Sequence, residues 1–154
     1  MGFEAVTDTG PILHLHEIHA DKALVPKTTC TTQEVEKELQ KYSIPCPVKC
    51  IIADSEKTNY FYLKHNLDLG EASCLALCIQ EKISLFFTDD LSARAAAKSE
   101  GLEPHGTVGI LLKAFAQKRA TKKQTIERLK SLQKSSLFIT QRFLDQAVNA
   151  VLLA

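Results

Sequence analysis

Acidic residues recur in this chain at places where a sheet would gather them. Asp8 ends the short strand-like stretch Phe3-Glu4-Ala5-Val6-Thr7, and Asp89 and Asp90 end the nearly continuous apolar run Ile83-Ser84-Leu85-Phe86-Phe87-Thr88. Glu71 follows Gly70 at the head of an apolar helix, where a carboxylate suits the helix dipole. Glu34 and Glu38 lie one turn apart on a further helix. Several bare carboxylates in one pocket repel one another, which raises their pKa values or pushes the pocket open. A hard divalent cation such as Mg²⁺ or Mn²⁺ relieves that conflict, because it prefers oxygen ligands and keeps several waters. Such an ion can activate water and neutralise charge building on a phosphate oxygen. The chain has no GxSxG elbow, Walker loop or GxGxxG fingerprint, so metal-assisted phosphodiester hydrolysis is the chemistry left standing. The plainer reading is that some of the 18 acidic residues are simple helix caps.

The elements that must position these acids can be read from periodicity and punctuation. Pro11 suits the first turn of a helix carrying Ile12, Leu15 and Ile18 on one face. Lys27 to Cys30 reads as a second strand, after which Thr31 or Thr32 can cap a helix through Leu39, with Glu34 or Glu36 as capping-box partner. Val48 to Ala53 reads as a short strand, Ser55 or Thr58 opens a helix to about His65, and Gly70 marks a turn. An alanine-rich helix follows Asp90, then a brief strand and turn at His105-Gly106-Thr107, then an apolar helix from Val108 to Lys118. Thr121 caps a helix carrying Ile126, Leu129 and Leu132. From Thr140 to Leu153, Phe143, Ala147 and Val151 form one helical line and Leu144, Val148 and Leu152 the next. Short strands alternating with helices predict a three-layer α/β/α sandwich with a short, mostly parallel sheet. In such sheets the ligand crevice lies beyond the carboxyl ends of the strands, where strand order reverses, and Asp8, Asp89 and Asp90 would meet there.

Composition narrows the class. The 154 residues are 45% hydrophobic and 24% charged, with 19 basic against 18 acidic side chains, the balance of a globular protein whose net charge names no partner. Met1-Gly2-Phe3-Glu4 lacks a basic start followed by an apolar stretch, so no secretory signal is expected, and no apolar run suggests a membrane span. Five cysteines without a CxxC pair read as reduced thiols, mostly small core residues, and the usual zinc spacings are missing; a cytoplasmic setting is expected. His14, His16 and His19 read as surface or partly buried side chains rather than ligands, and two of Tyr60, Phe61 and Tyr62 as packing residues. Lys113 to Lys130 is locally basic and suits either a phosphate backbone or a solvated face, whereas Arg94 and Lys98, just after Asp90, are better placed for substrate phosphates.

Four segments, Val6-Thr7-Asp8-Thr9-Gly10-Pro11-Ile12, Val35-Glu36-Lys37-Glu38-Leu39, Leu69-Gly70-Glu71-Ala72 and Phe87-Thr88-Asp89-Asp90, resemble in order the acidic motifs of PIN domains. The D-T-G-P and G-E-A starts, with His105-Gly106-Thr107, most resemble the prokaryotic VapC-like branch. The resemblance implies residues 1–154 as one PIN-like domain, with helices in 121–154 packing on it or on a partner. It also implies a Mg²⁺- or Mn²⁺-dependent endoribonuclease acting on RNA, often a toxin with a small antitoxin partner and often a homodimer. Asp8, Glu38, Glu71 and Asp90 match the catalytic acids, with Glu34 the rival of Glu38 or its support. Asp8, Glu71 and Asp90 would hold the metal, joined by Asp89, while Thr9 and Thr88 would hydrogen-bond the carboxylates. A PIN fold without catalysis, binding RNA or a protein, and a phosphohydrolase of small esters are the alternatives.

Overall fold

The computed structural model describes residues 2–154. Five short strands, β1 (Ala5–Thr7), β2 (Thr29–Thr32), β3 (Lys49–Ile51), β4 (Leu85–Phe87) and β5 (Glu103–His105), form one sheet in the order β3-β2-β1-β4-β5. Every pairing is parallel, with Val6 opposite Cys30 on one side and Phe86 on the other. The helices among the described residues are α1 (Thr9–Glu17), α2 (Gln33–Lys41), α3 (Ser55–His65), α4 (Leu69–Glu81), α5 (Leu91–Ser99), α6 (Thr107–Ala116), α7 (Lys122–Ser131) and α8 (Gln141–Leu152). They cover both faces of the sheet, giving a three-layer α/β/α sandwich. Accordingly the central strands are buried on both sides, Val6 and Phe86 completely. No helix among the described residues is long and apolar enough to cross a membrane.

Strand order reverses between β1 and β4, which both carry an acid just past their last residue. Asp8 leaves the sheet to become the N-cap of α1, its Oδ1 accepting the Thr9 N–H at 2.8 Å. Asp90 caps α5 in the same way, accepting the Ala93 N–H at 2.8 Å. Pro11 falls in the first turn of α1, where its missing donor costs nothing.

Several boundaries differ from expectation. Val25 accepts the N–H groups of Thr28 and Thr29 in a tight turn, so β2 begins at Thr29 and runs on through the threonines, not from Lys27. Thr32 caps α2, which puts Val35 at the reciprocating position; neither Glu34 nor Glu36 completes a capping box there. Helix α3 opens on Ser55 and ends on His65 as expected, with Asp54 as its cap. Gly70 lies inside the first turn of α4, capped by Asp68, and β5 ends at His105, with α6 starting on Thr107.

In α8 the buried stripe is Leu144, Ala147 and Val151, one diagonal taken from the two lines seen in the sequence, while Phe143 is half exposed. These three side chains join Leu129 and Leu132 in the same core as Val6 and Phe86. Of the aromatic trio only Phe61 is buried; Tyr60 and Tyr62 are exposed.

Candidate active site

The carboxylates converge at the carboxyl ends of β1 and β4. A cleft of about 800 Å³ opens there, walled by Asp8, Thr9, Glu38, Asp68, Asp89, Asp90 and Arg94. Two threonines tie the acids into one network. Thr88, completely buried, donates its hydroxyl to Asp8 Oδ2 at 3.0 Å and accepts the Asp90 N–H at 3.2 Å. Thr9 donates its hydroxyl to Glu38 Oε2 at 2.6 Å. Thr88 and Thr9 therefore aim the Asp8 and Glu38 carboxylates, and Thr88 also holds the backbone of Asp90.

Glu38 reaches the cleft across a gap that only glycine leaves open. A Cβ on Gly70 would stand 2.6 Å from Glu38 Oε1 and 3.4 Å from Asp68 Oδ1. The glycine thus brings α2 and α4 close enough for their carboxylates to share one space. Glu34 does not line the cleft; its Oε2 is buried and has no hydrogen-bond partner. Between the two rivals, Glu38 is the one at the site.

Glu71, expected among the metal-holding acids, does not line the cleft; it stands beside this group with one oxygen already engaged. Its Oε1 accepts the Asp68 N–H at 3.1 Å, while its own N–H donates to Asp68 Oδ1 at 2.8 Å, a reciprocal capping box. The partner in that box, Asp68, lines the cleft and was not singled out from sequence. The signal was present as Asp68-Leu69-Gly70-Glu71, an acid three residues before a glutamate.

Asp89 plays a different part from its neighbour. Thr107 gives Asp89 Oδ1 its backbone N–H at 2.7 Å and gives Oδ2 its hydroxyl at 2.6 Å, and His14 Nδ1 lies 2.7 Å from the same Oδ2. Burial works to raise the Asp89 pKa, but His14 and Thr107 outweigh it and hold the carboxyl below its usual range. Gly106, which precedes α6, has no side chain to cap that helix, and a Cβ there would stand 2.6 Å from Asp89 Oδ1. Asp89 caps α6 in its place and ties it to α1. Both oxygens are engaged in that anchoring, although Asp89 still lines the cleft. Of the two cations expected near the site, Arg94 lines the cleft with its guanidinium beside Gly106. Lys98 does not. It is exposed in the last turn of α5, and at about 1.5 Å of rise per residue it sits far along the axis from Asp90.

Charge crowding marks the pocket as built for a cation. Desolvation, reinforced by Asp68 and Glu38, pushes the Asp8 carboxyl up to about 7 against the opposing hydrogen bonds from Thr9 and Thr88. Glu71 rises to about 8, first through burial and then through the charges of Asp68, Asp8 and Asp90. No lysine, arginine or histidine forms an ion pair with Asp8, Glu38, Asp68, Glu71 or Asp90 among the described residues. No three of these acids place ligand oxygens within 4.8 Å of one another, too far apart for three of them to ligate one such ion directly, so an ion there would be met partly through water. All-oxygen donors, mutual repulsion and a missing counter-charge together fit Mg²⁺ or Mn²⁺.

A doubly wound parallel sheet with uncompensated carboxylates at its switch point defines an α/β/α protein with an acidic cleft at the carboxyl ends of its strands. A family model described as a PIN domain matches residues 4–151, and the chain belongs to that family. No curated protein sequence and no solved structure matched the chain in the corresponding comparisons. PIN domains are usually nucleases and typically use divalent metal ions.

Proposed function

We propose that the protein is a Mg²⁺- or Mn²⁺-dependent endoribonuclease of the VapC-like kind. The observation that carries this reading is the gathering of Asp8, Glu38, Asp68 and Asp90 around one open cleft with Arg94 on its wall. Asp8, Glu38 and Asp90 hold the ion or ions, and Glu71 and Asp68 add negative field from α4. When bound, the ion supplies charge neutralisation on the scissile phosphate and makes water more acidic. Thr88 and Thr9 keep the Asp8 and Glu38 carboxylates in a fixed rotamer, so little reorganisation is left for the chemical step. Arg94 offers a forked donor to a phosphate oxygen, a geometry that lysine cannot reproduce.

The cleft's rim favours RNA over a small ester. Tyr42 and Phe138, 57% and 90% exposed, line it together with Leu91 and offer flat apolar faces on which unpaired bases can stack. The reading includes work as a cytoplasmic dimer held in check by a small antitoxin protein. Asp8→Asn and Asp90→Asn should each lower RNA cleavage by at least about 100-fold, since loss of an outer partner alone costs about 10- to 100-fold at metal sites. EDTA should abolish cleavage and Mn²⁺ or Mg²⁺ restore it. Cleavage that survives both substitutions and chelation would overturn the proposal, and turnover of a chromogenic phosphate ester with none of RNA would move it to small substrates.

A further inference from the structure

At the opposite edge of the sheet from β5, a second set of ligand-type side chains meets. Glu36 comes from α2, Cys46 from the loop that follows, and Cys50 from the middle of β3. Cys46 Sγ and Cys50 Sγ are unbonded and 3.7 Å apart, and Cys50 Sγ lies 3.1 Å from Glu36 Oε2. All three ligand atoms fall within 4.8 Å of one another, and no other such group of histidine, cysteine, aspartate and glutamate occurs among the described residues.

The sulfur spacing is the informative distance. Two thiolates at about 2.3 Å from one tetrahedral zinc ion stand about 3.8 Å apart, close to what the metal-free protein already holds. A carboxylate oxygen on the same ion would stand about 3.6 Å from each sulfur, which asks Glu36 to withdraw from Cys50 by about half an ångström. We propose that Glu36, Cys46 and Cys50 form a second metal site, for Zn²⁺ or a similarly thiolate-seeking ion, separate from the acidic cleft.

Donor chemistry separates the two sites. Two sulfurs and one carboxylate select a borderline-soft ion, whereas the all-oxygen cleft selects a hard one. Both cysteines are only half-buried, which leaves a route in and room for water at a fourth position. Glu36 has no lysine or arginine ion pair among the described residues. Cysteine binds metal as thiolate, so uptake of an ion there would release protons. The spacing Cys46-Pro47-Val48-Lys49-Cys50 conceals the site from a search for C-x₂-C pairs, because the third ligand comes from the preceding helix. An ion there would clip α2 to β3. Glu36 and Glu38 point about 200° apart around α2, so the clip would grip the helix behind the face that presents Glu38 to the cleft.

The test uses the full chain, reduced and stripped of metal. Titration with Co²⁺ should give thiolate-to-cobalt charge-transfer absorption that saturates at one ion per chain, and Zn²⁺ should bleach it. The band should persist in an Asp8→Asn/Asp90→Asn variant, which separates it from the cleft and from the nuclease proposal. Cys46→Ser or Cys50→Ser should abolish it, and Glu36→Gln, at a half-exposed position that spares the sulfurs, should weaken cobalt binding by at least tenfold with metal-free Tm unchanged. No charge-transfer band in the reduced wild-type chain, or a band untouched by the cysteine variants, would overturn the proposal. So would a Cys46–Cys50 disulfide formed in air together with no cobalt uptake after reduction.

Discussion

Gly70 shows how much of the site depends on a missing side chain. An alanine there suits the helix, by about 0.5–1 kcal/mol over glycine in a helix interior. Its Cβ, however, would occupy the space 2.6 Å from Glu38 Oε1, and the glutamate is the flexible partner that must yield. Gly70→Ala should therefore keep or slightly raise Tm while Mn²⁺ affinity and RNA cleavage fall at least about tenfold, as when a ligand loses its positioning. A Tm scan beside a Mn²⁺ titration reads both effects. Wild-type cleavage in this variant would remove Glu38 from the site. From sequence, Gly70 reads as a turn, because glycine's usual meaning is conformational; here its φ is unremarkable and its value is volume. Asp68 escaped notice for a related reason, since an acid before a helix is most often a cap, and it is that as well.

The elements were legible where periodicity was long or punctuation sharp. The apolar run before Asp89, the Thr121 cap and the helix between Thr140 and Leu153 are read correctly because their signals are local. The shift of β2 toward Thr32 is not local: Thr31 Oγ1 donates to Thr7 O at 2.6 Å and Thr32 Oγ1 lies 2.7 Å from Ser73 Oγ, contacts between distant segments. The tie between α3 and α5 is likewise invisible in sequence. Glu100, at the end of α5, accepts from Lys64 Nζ and lies near His65 Nε2, each at 2.7 Å. Lys64 first, then His65, hold its carboxyl below the usual 4.5. A carboxylate whose pKa is depressed by folding stabilises the fold above its unfolded value and loses that contribution as pH falls through the folded one. Glu100→Gln should thus lower Tm slightly near neutrality, with the gap closing below about pH 4 and shrinking in high salt. A gap that stayed the same in acid would mean that Glu100 acts through packing alone.

For the molecule as a whole, the acids that make a site also destabilise the fold. Asp8 titrates near 7 in the folded chain against a usual 3.8, so the metal-free protein loses stability as pH rises between those values. At about 1.4 kcal/mol per pKa unit, ionising Asp8 without a counter-ion costs a few kcal/mol, a large share of a typical domain's margin. An amide can replace the carboxylate and keep both contacts if the Thr88 hydroxyl turns its proton away. In Asp8→Asn the side-chain oxygen would accept from the Thr9 N–H and the side-chain NH₂ would donate to Thr88 Oγ1, whose two lone pairs also serve the Asp90 N–H. Asp8→Asn should therefore raise the metal-free Tm at pH 8 and leave it nearly unchanged near pH 4. In the wild-type chain, Mg²⁺ should raise Tm more at pH 8 than at pH 5, because a cation competes with protons for the same oxygens; in Asp8→Asn that rise should vanish. Scanning calorimetry with EDTA or Mg²⁺ at these pH values measures all of these shifts. A wild-type chain more stable than the variant at pH 8, and indifferent to Mg²⁺, would reduce these carboxylates to helix caps that happen to share a cleft.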